Sequence, residues 1–371
     1  YEVMKRMFYC LRRPVSYGVL SKVYFDIYEG NLDPLLRFGH LRELNMSGWV
    51  KIPRKTYRQS NEMSRCQINI TLRDSKKLEP IDSMMMSDIV IASFDIECDS
   101  YATRINNEHL YPQEKAKCRP VFPNFRDKKD AVRIICTTFK VFNKDHTLRH
   151  AIVCGETDEP ESADIVERCD TEKELFEKWI QMIKIYNPDI LTGYNLFGFD
   201  DNYMWYRMVQ FYRMEEQIQS LSRITNVPVE LKDGQLITNA YGTQYFKIFD
   251  IPGIYKIDLY VYMKREEKLD SYKLDKVAEH FLGLHKVDLP PLDLFYYMNG
   301  TRDQMKQCVD YCVQDTVLPI KLLEQRKILI NLIQMANITR VPIEWLITRG
   351  QQIKVFSQLT YECRKEGILV P

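Results

Sequence analysis

Asp95 and Glu97 stand two apart in SFDIECD, residues 93–99, within the run IVIASFDIEC. That run is continuous, apolar and rich in β-branched residues, so it reads as a buried central strand. Strand periodicity sends both carboxylates to the same side of the sheet. Two such groups among apolar neighbours do not both stay ionised without a compensating charge. A hard divalent cation is the natural partner, because Mg²⁺ and Mn²⁺ prefer oxygen ligands. The alternative is a strand end at which both acids reach solvent, and this segment alone leaves the two readings open.

Two further places carry similar chemistry. Asp200 lies in GYNLFGFDD, where a short strand, PDILTGYN, gives way to a helix. Polar residues at the C-terminal ends of strands often build sites in α/β sheets. Its other reading is a helix cap, a task that Asp201 could also perform. Tyr311 and Asp315, in DYCVQD, are four apart and share one helix face. Alone, that pair is an ordinary boundary contact. The conjunction is specific: a DxE strand, then an Asp after a strand–turn, then a YxxxD helix.

The elements that must position these residues follow from pattern. After SFDIEC come two strands, RIICTTFKVF and TLRHAIVC, with a basic, Pro-containing loop over 101–130 before them. GETDEPESAD reads as a surface loop. TEKELFEKWIQMIKIY has Thr171 with Glu174 three residues on and then helical spacing, which predicts a capped amphipathic helix. FDDNYMWYRMVQFYRM continues helically. QLITNAY and TQYFKIFDI predict a hairpin over 234–250 with its turn at Tyr241-Gly242-Thr243, and GIYKIDLY a further strand. Beyond Asp258 the pattern is helical. Interleaved strands and helices argue an α/β fold on a mixed sheet. Residues 1–85 alternate short apolar runs and turns, which predicts a small β-rich domain.

Composition sets outer bounds. The 371 residues carry 52 basic and 51 acidic side chains, so no global field announces a nucleic-acid partner, and binding must come from local patches. The short basic runs KRMFYCLRRP and KAKCRP could contact a nucleic-acid backbone, and their plain reading is solvated faces. None of the ten cysteines forms a CxxC pair, which points to free thiols in a reducing compartment. Cys308 and Cys312 share a helix face and read as core. No run approaches the ~18 apolar residues of a membrane span. A start at Tyr1 suggests a piece of a larger protein.

SFDIEC, GYNLFGFD and YCVQD resemble, in order, the three exonuclease motifs of family-B DNA polymerases. NLDPLLRFGHLRELNMSGWVKIP, SRCQINI, KIDLY, SYKLDKVAEHFLG and ANITRVPIEWLITRGQQIKVFSQL resemble stretches of the delta-type members, so the likeness covers nearly the whole chain. It implies a ribonuclease H-like 3′→5′ exonuclease domain over 86–325, after the N-terminal segment 1–85 and before a helical connection, 326–371, toward a polymerase palm. The palm strings DxxSLYPS and DTD do not occur, so polymerisation is not expected of this chain.

The resemblance also implies roles. Asp95, Glu97 and Asp315 would hold one divalent ion, Mg²⁺ or Mn²⁺, that activates water. Asp95 would touch a second, held with Asp200. Tyr311 would orient the water, helped by Glu97, and the products would be 5′-mononucleotides released from a DNA 3′ end. Asn195 and Phe199 match positions that grip the terminal nucleotides, although a turn residue and a core aromatic are their plain alternatives. Lys273, in SYKL, is a phosphate-contact candidate whose plain reading is solvated surface. The hairpin resembles in position one that helps to separate primer from template. Expected partners are DNA, the palm, fingers and thumb of the parent chain, and accessory subunits or a sliding clamp. The expected setting is intracellular, either the nucleus or a viral replication site. Two rivals stand beside this: a free-standing exonuclease on RNA or short oligonucleotides, and a non-catalytic nucleic-acid-binding module.

Overall fold

A computed structural model describes residues 2–18, 20–60, 63–238, 242–284 and 289–370. Val90–Cys98 (β1) is buried along nearly its whole length, as an apolar run with little alternation demands. After it come Val132–Val141 (β2), Thr147–Cys154 (β3), Ile165–Cys169 (β4) and Ile190–Gly193 (β5). The paired strands Glu230–Thr238 (β6) and Gly242–Asp250 (β7) follow, then Tyr255–Asp258 (β8). One mixed sheet of six strands runs in the order β4-β3-β2-β1-β5-β8. Its β1–β2 and β2–β3 pairs are antiparallel, whereas β3–β4, β1–β5 and β5–β8 are parallel. The parallel edge strand β4 follows directly on the acidic loop and has no clear signal in the sequence.

Helices cover both faces. Glu172–Tyr186, here α2, follows Tyr101–Asn107 (α1), a helix within the stretch expected as loop. The Thr171 side chain accepts from the Glu174 N–H at 3.2 Å, while Glu174 reaches back to the Asp170 N–H at 3.1 Å rather than to Thr171. Phe94 of β1 meets Trp179 of α2 with ring centroids 5.5 Å apart, and Phe139 meets Tyr186 at 4.4 Å. Asp200–Tyr206 (α3), Leu259–Glu266 (α4), Leu274–Leu282 (α5), Pro291–Tyr297 (α6) and Arg302–Gln325 (α7) complete the set used below. On the face opposite α2, Ile134, Cys136, Ala151 and Val153 pack with Phe295 of α6, Met298 just after it, and Met305, Cys308, Val309, Cys312 and Val313 of α7. Each large side chain so buried is worth roughly 1.5–3 kcal/mol. α7 is therefore held on the sheet by its own apolar stripe, and Cys308 and Cys312 are core.

The hairpin strands β6 and β7 pair from Glu230↔Asp250 to Thr238↔Gly242. Gly242 and Thr243 thus belong to β7, and residues 239–241, which include Tyr241 of the expected turn, lie outside the described residues.

By their contacts, residues fall into two compact units. The one that holds the sheet comprises Asn61–Asn69 and Met86–Ile328. The other comprises Tyr1–Ser60, Ile70–Met85 and Leu329–Pro371. Its strands are short pairs, such as Trp49–Lys51 with Glu79–Ile81, and its helices include Pro34–Arg42 and Gln352–Lys365. Buried His40 lies 3.0 Å from the Ser357 hydroxyl, which ties the first part of this unit to the last.

Candidate active site

β1 delivers Asp95 and Glu97 to the face that α7 covers, while Phe94 between the sheet and Trp179 faces the other way. Glu97 is buried and Asp95 half-buried. Asp95, Glu97 and Cys312 of α7 offer ligand atoms that all lie within 4.8 Å of one another. The Cys312 thiol is 3.7 Å from the Asp95 main-chain oxygen and 3.8 Å from its Oδ2. Burial, then the neighbouring Cys136 and the acids, pushes that thiol well above its usual range. Cys312 therefore stays a neutral, weak donor, and the hard carboxylate oxygens dominate the donor set.

Asp200 joins them from another element. It opens α3, yet the cap position is Phe199 and no side chain caps that helix, so the helix-cap reading does not describe Asp200. Its Oδ1 instead accepts from the main-chain N–H of Ile96, between the two β1 acids, at 3.3 Å. Burial pushes Asp200 well above the usual carboxylate range, the Asp95 charge adds to the rise, and main-chain hydrogen bonds offset part of it. A cation beside it would reverse that order and favour the ionised form. Asp201 is also spoken for: it is buried in an ion pair with Lys256 and accepts from the Phe249 N–H at 2.9 Å.

Asp315 arrives on α7. Cys136 pairs with Asp95 across β1 and β2 and sits at the centre of this neighbourhood. Burial raises its thiol, the contact with Cys312 offsets part of the rise, and the charges of Asp95, Glu97 and Asp315 add to it. The charge of Asp315 is thus felt at this thiol along with those of Asp95 and Glu97. Tyr311, one turn earlier on α7, lines a cleft of about 930 Å³ with Tyr194, Asn195, Tyr260, Lys264 and Lys273. Lys273 is exposed and Tyr311 half-buried there. Asn195 has φ +66°, and a Cβ on Gly198 would fall 2.3 Å from the Asn195 Oδ1, so the Asn195 side chain folds over Gly198.

Phe199 does not line that cleft. It is half-buried, with its ring 5.1 Å from Tyr203 and 5.2 Å from Phe122. Phe122 escapes sequence reasoning altogether. It is 75% exposed, yet its neighbours are clamped by buried polar groups. Thr103 Oγ1 accepts from the Val121 N–H at 2.7 Å, Ser100 donates to the Val121 carbonyl at 2.8 Å, and Asn107 accepts from the Arg119 N–H at 2.8 Å. Its only local signal is an aromatic before proline in a basic loop. Within KAKCRP, Lys115 pairs with Asp293 and Lys117 with Glu114, in keeping with a solvated face.

Residues 25–277 match the family described as DNA polymerase family B, exonuclease domain, a stretch that ends before Tyr311 and Asp315. The DNA polymerase delta catalytic subunit of Candida albicans is 30% identical over 95% of this chain and 33% of its own length. That of Glycine max is also 30% identical, over 97% and 32%. A DNA polymerase of Paramecium bursaria Chlorella virus NY2A is 28% identical, over 94% and 36%. The chain thus spans about a third of the length of these relatives. With the family match covering more than half of its residues, the chain belongs to the family-B DNA polymerases, as their exonuclease domain.

Proposed function

We propose that this chain removes nucleotides one at a time from the 3′ end of single-stranded DNA, as the proofreading part of a delta-type replicative polymerase. The observation that carries the reading is the Asp200 carboxylate on the Ile96 N–H, which brings the second acidic motif between Asp95 and Glu97. The fold reading that fits is ribonuclease H-like, with 86–325 as the exonuclease region, 1–85 as the N-terminal domain and 326–371 leading to a palm, fingers and thumb elsewhere in the parent.

The carboxylate oxygens of Asp95 and Glu97 suit a hard divalent ion, and the reading assigns two, Mg²⁺ or Mn²⁺. Asp95, Glu97 and Asp315 would hold one, and Asp95 with Asp200 the other. Such a pair supplies a nucleophilic hydroxide and offsets charge on the attacking and leaving oxygens. The protein's own groups do the rest. Tyr311, on the cleft wall, orients the attacking water together with Glu97. Lys273 and Lys264 on the cleft wall neutralise backbone phosphates. Asn195 takes a polar edge of the terminal nucleotide, and Phe199 with Phe122 stacks on the bases. Hairpin β6–β7 is assigned to strand separation, and accessory subunits or a clamp to the rest of the parent, in the nucleus or at a viral replication site.

The test is a 5′-labelled single-stranded DNA oligonucleotide with Mg²⁺, Mn²⁺ or chelator, for the chain and for Asp95→Ala. A metal-dependent ladder shortening from the 3′ end, absent in the variant, is the expected result. Faster loss of an RNA oligonucleotide would move the assignment to RNA, and tight binding without shortening to a binding module.

A further inference from the structure

β8 carries two buried ionisable residues on one face, and both reach toward the connection that bears Asp200. Lys256 pairs with Asp201, directly after Asp200. Asp258, fully buried, receives the connection ahead of it: its Oδ1 accepts from the Asn195 N–H at 2.9 Å and its Oδ2 from the Phe197 N–H at 2.9 Å. A third bond, from the Tyr260 N–H to Oδ1 at 2.9 Å, caps α4 and fixes the carboxylate itself. We propose that Asp258 is a positioning residue of the exonuclease site, holding the Tyr194–Phe199 connection so that Asn195 and Asp200 meet their partners.

Three features make the anchor necessary. Asn195 occupies the left-handed region at φ +66°, which few L-residues other than Asn and Asp adopt. The backbone there cannot drift toward β1, because a Cβ on Gly193 would already lie 2.6 Å from the Phe94 carbonyl, one residue before Asp95. The two main-chain N–H groups diverge onto separate oxygens, so only a side chain with two acceptors in one plane satisfies both. Asp258 pairs with Gly193 in the β5–β8 register, which sets it beneath the start of the connection. Full burial keeps it away from DNA, so it acts through Asn195 and Asp200 alone.

This inference rests on the exonuclease reading, and its test separates the two. Asp258→Asn turns an NH₂ group toward one of the N–H donors, and Asp258→Glu keeps both acceptors but displaces the connection by up to a methylene. Both are measured in the whole 371-residue chain, with thermal melting for the folded fraction. The expected result is kcat per folded molecule lowered ten- to a hundredfold, the order set by a misplacement of ~1 Å. KM for the oligonucleotide stays within about threefold, and the half-saturating Mn²⁺ concentration rises. Parental kcat and Mn²⁺ requirement per folded molecule would overturn the proposal and leave Asp258 a structural residue only. If the parent chain itself does not degrade DNA, the exonuclease reading fails, and the anchor is read from amide exchange at Asn195 and Phe197. Faster exchange there in Asp258→Glu than in the parent supports it. Exchange already fast in the parent, or unchanged in the variant, overturns it.

Discussion

Replacing Phe122 by alanine separates binding from folding better than any change to the acids. The ring is 75% exposed, so folding has gained only about a quarter of the roughly 1.5–3 kcal/mol that a fully buried phenylalanine contributes. Its edge contact with Phe199 adds about 0.5–1.5 kcal/mol at most. Phe122→Ala should therefore lower stability by no more than about 1–2 kcal/mol, and the clamps on Val121 and Arg119 stay, since they run through the main chain. Base stacking on an aromatic ring is worth ~1–3 kcal/mol. At 1.4 kcal/mol per tenfold, that is an increase in KM of about 5- to 150-fold for single-stranded DNA with kcat nearly unchanged. Initial rates across oligonucleotide concentrations, with a melting curve for each protein, measure both quantities. Unchanged KM, or a fall in kcat without a rise in KM, would refute stacking as the reason this side chain is displayed. Phe122→Trp should restore most of the affinity, and Phe122→Leu should not.

Asp200→Asn should abolish shortening of DNA and yet stabilise the metal-free chain by about 1–3 kcal/mol, because it removes a buried carboxyl whose ionised form burial and Asp95 disfavour, while an amide oxygen can still accept from Ile96; urea unfolding with chelator measures this. Added Mn²⁺ should raise the melting temperature of the parent more than that of this variant. Lys256→Met should destabilise by about 3–5 kcal/mol, since it strands the fully buried Asp201 carboxylate, and the double change with Asp201→Asn should recover much of the loss. Burial lifts Asp258 from 3.8 to about 6. Its folded value exceeds its unfolded one, so the stability it contributes is complete below the unfolded pKa and is lost as pH rises through about 6, a difference of roughly 3 kcal/mol. The pH dependence of unfolding between 4 and 7 should be flatter by about that amount in Asp258→Asn.

What could be read in advance was what depends on neighbours in sequence. The run 90–98 shows itself as a buried strand because nearly every position is apolar, and the spacing of Asp95 and Glu97 then puts them on one face whatever else the chain does. The helix from Glu172 was legible from its periodicity, although Glu174 chose the Asp170 N–H over Thr171 because cap partners compete at short range. Asp200 was legible as a candidate but not as a neighbour of Ile96, since 104 residues separate them and only the β1–β5 pairing closes that distance. Asp258 and Phe122 were not legible. One is a single acid in KIDLY two of whose partners are main-chain groups more than sixty residues away. The other looks like any loop aromatic until the clamps from Ser100, Thr103 and Asn107 are seen. The return of Gln352–Lys365 to pack near His40 likewise leaves no local mark.

Because its acids are drawn from β1, α3 and α7, the site has a history within each molecule's synthesis. Asp95 and Glu97 leave the ribosome long before Asp315, with some two hundred residues of chain between them. At about 5–20 residues per second, the nascent chain spends on the order of ten to forty seconds with the first acids made and the last unmade. During that interval β2 and β3 lack the apolar stripe of α7, so Ile134, Cys136, Ala151 and Val153 have only α6 to cover that face. The same helix that completes the acidic cluster also seals the core. On the proposed reading, the nuclease centre is therefore not complete before α7 is made, and a chain arrested before α7 carries a poorly covered sheet face.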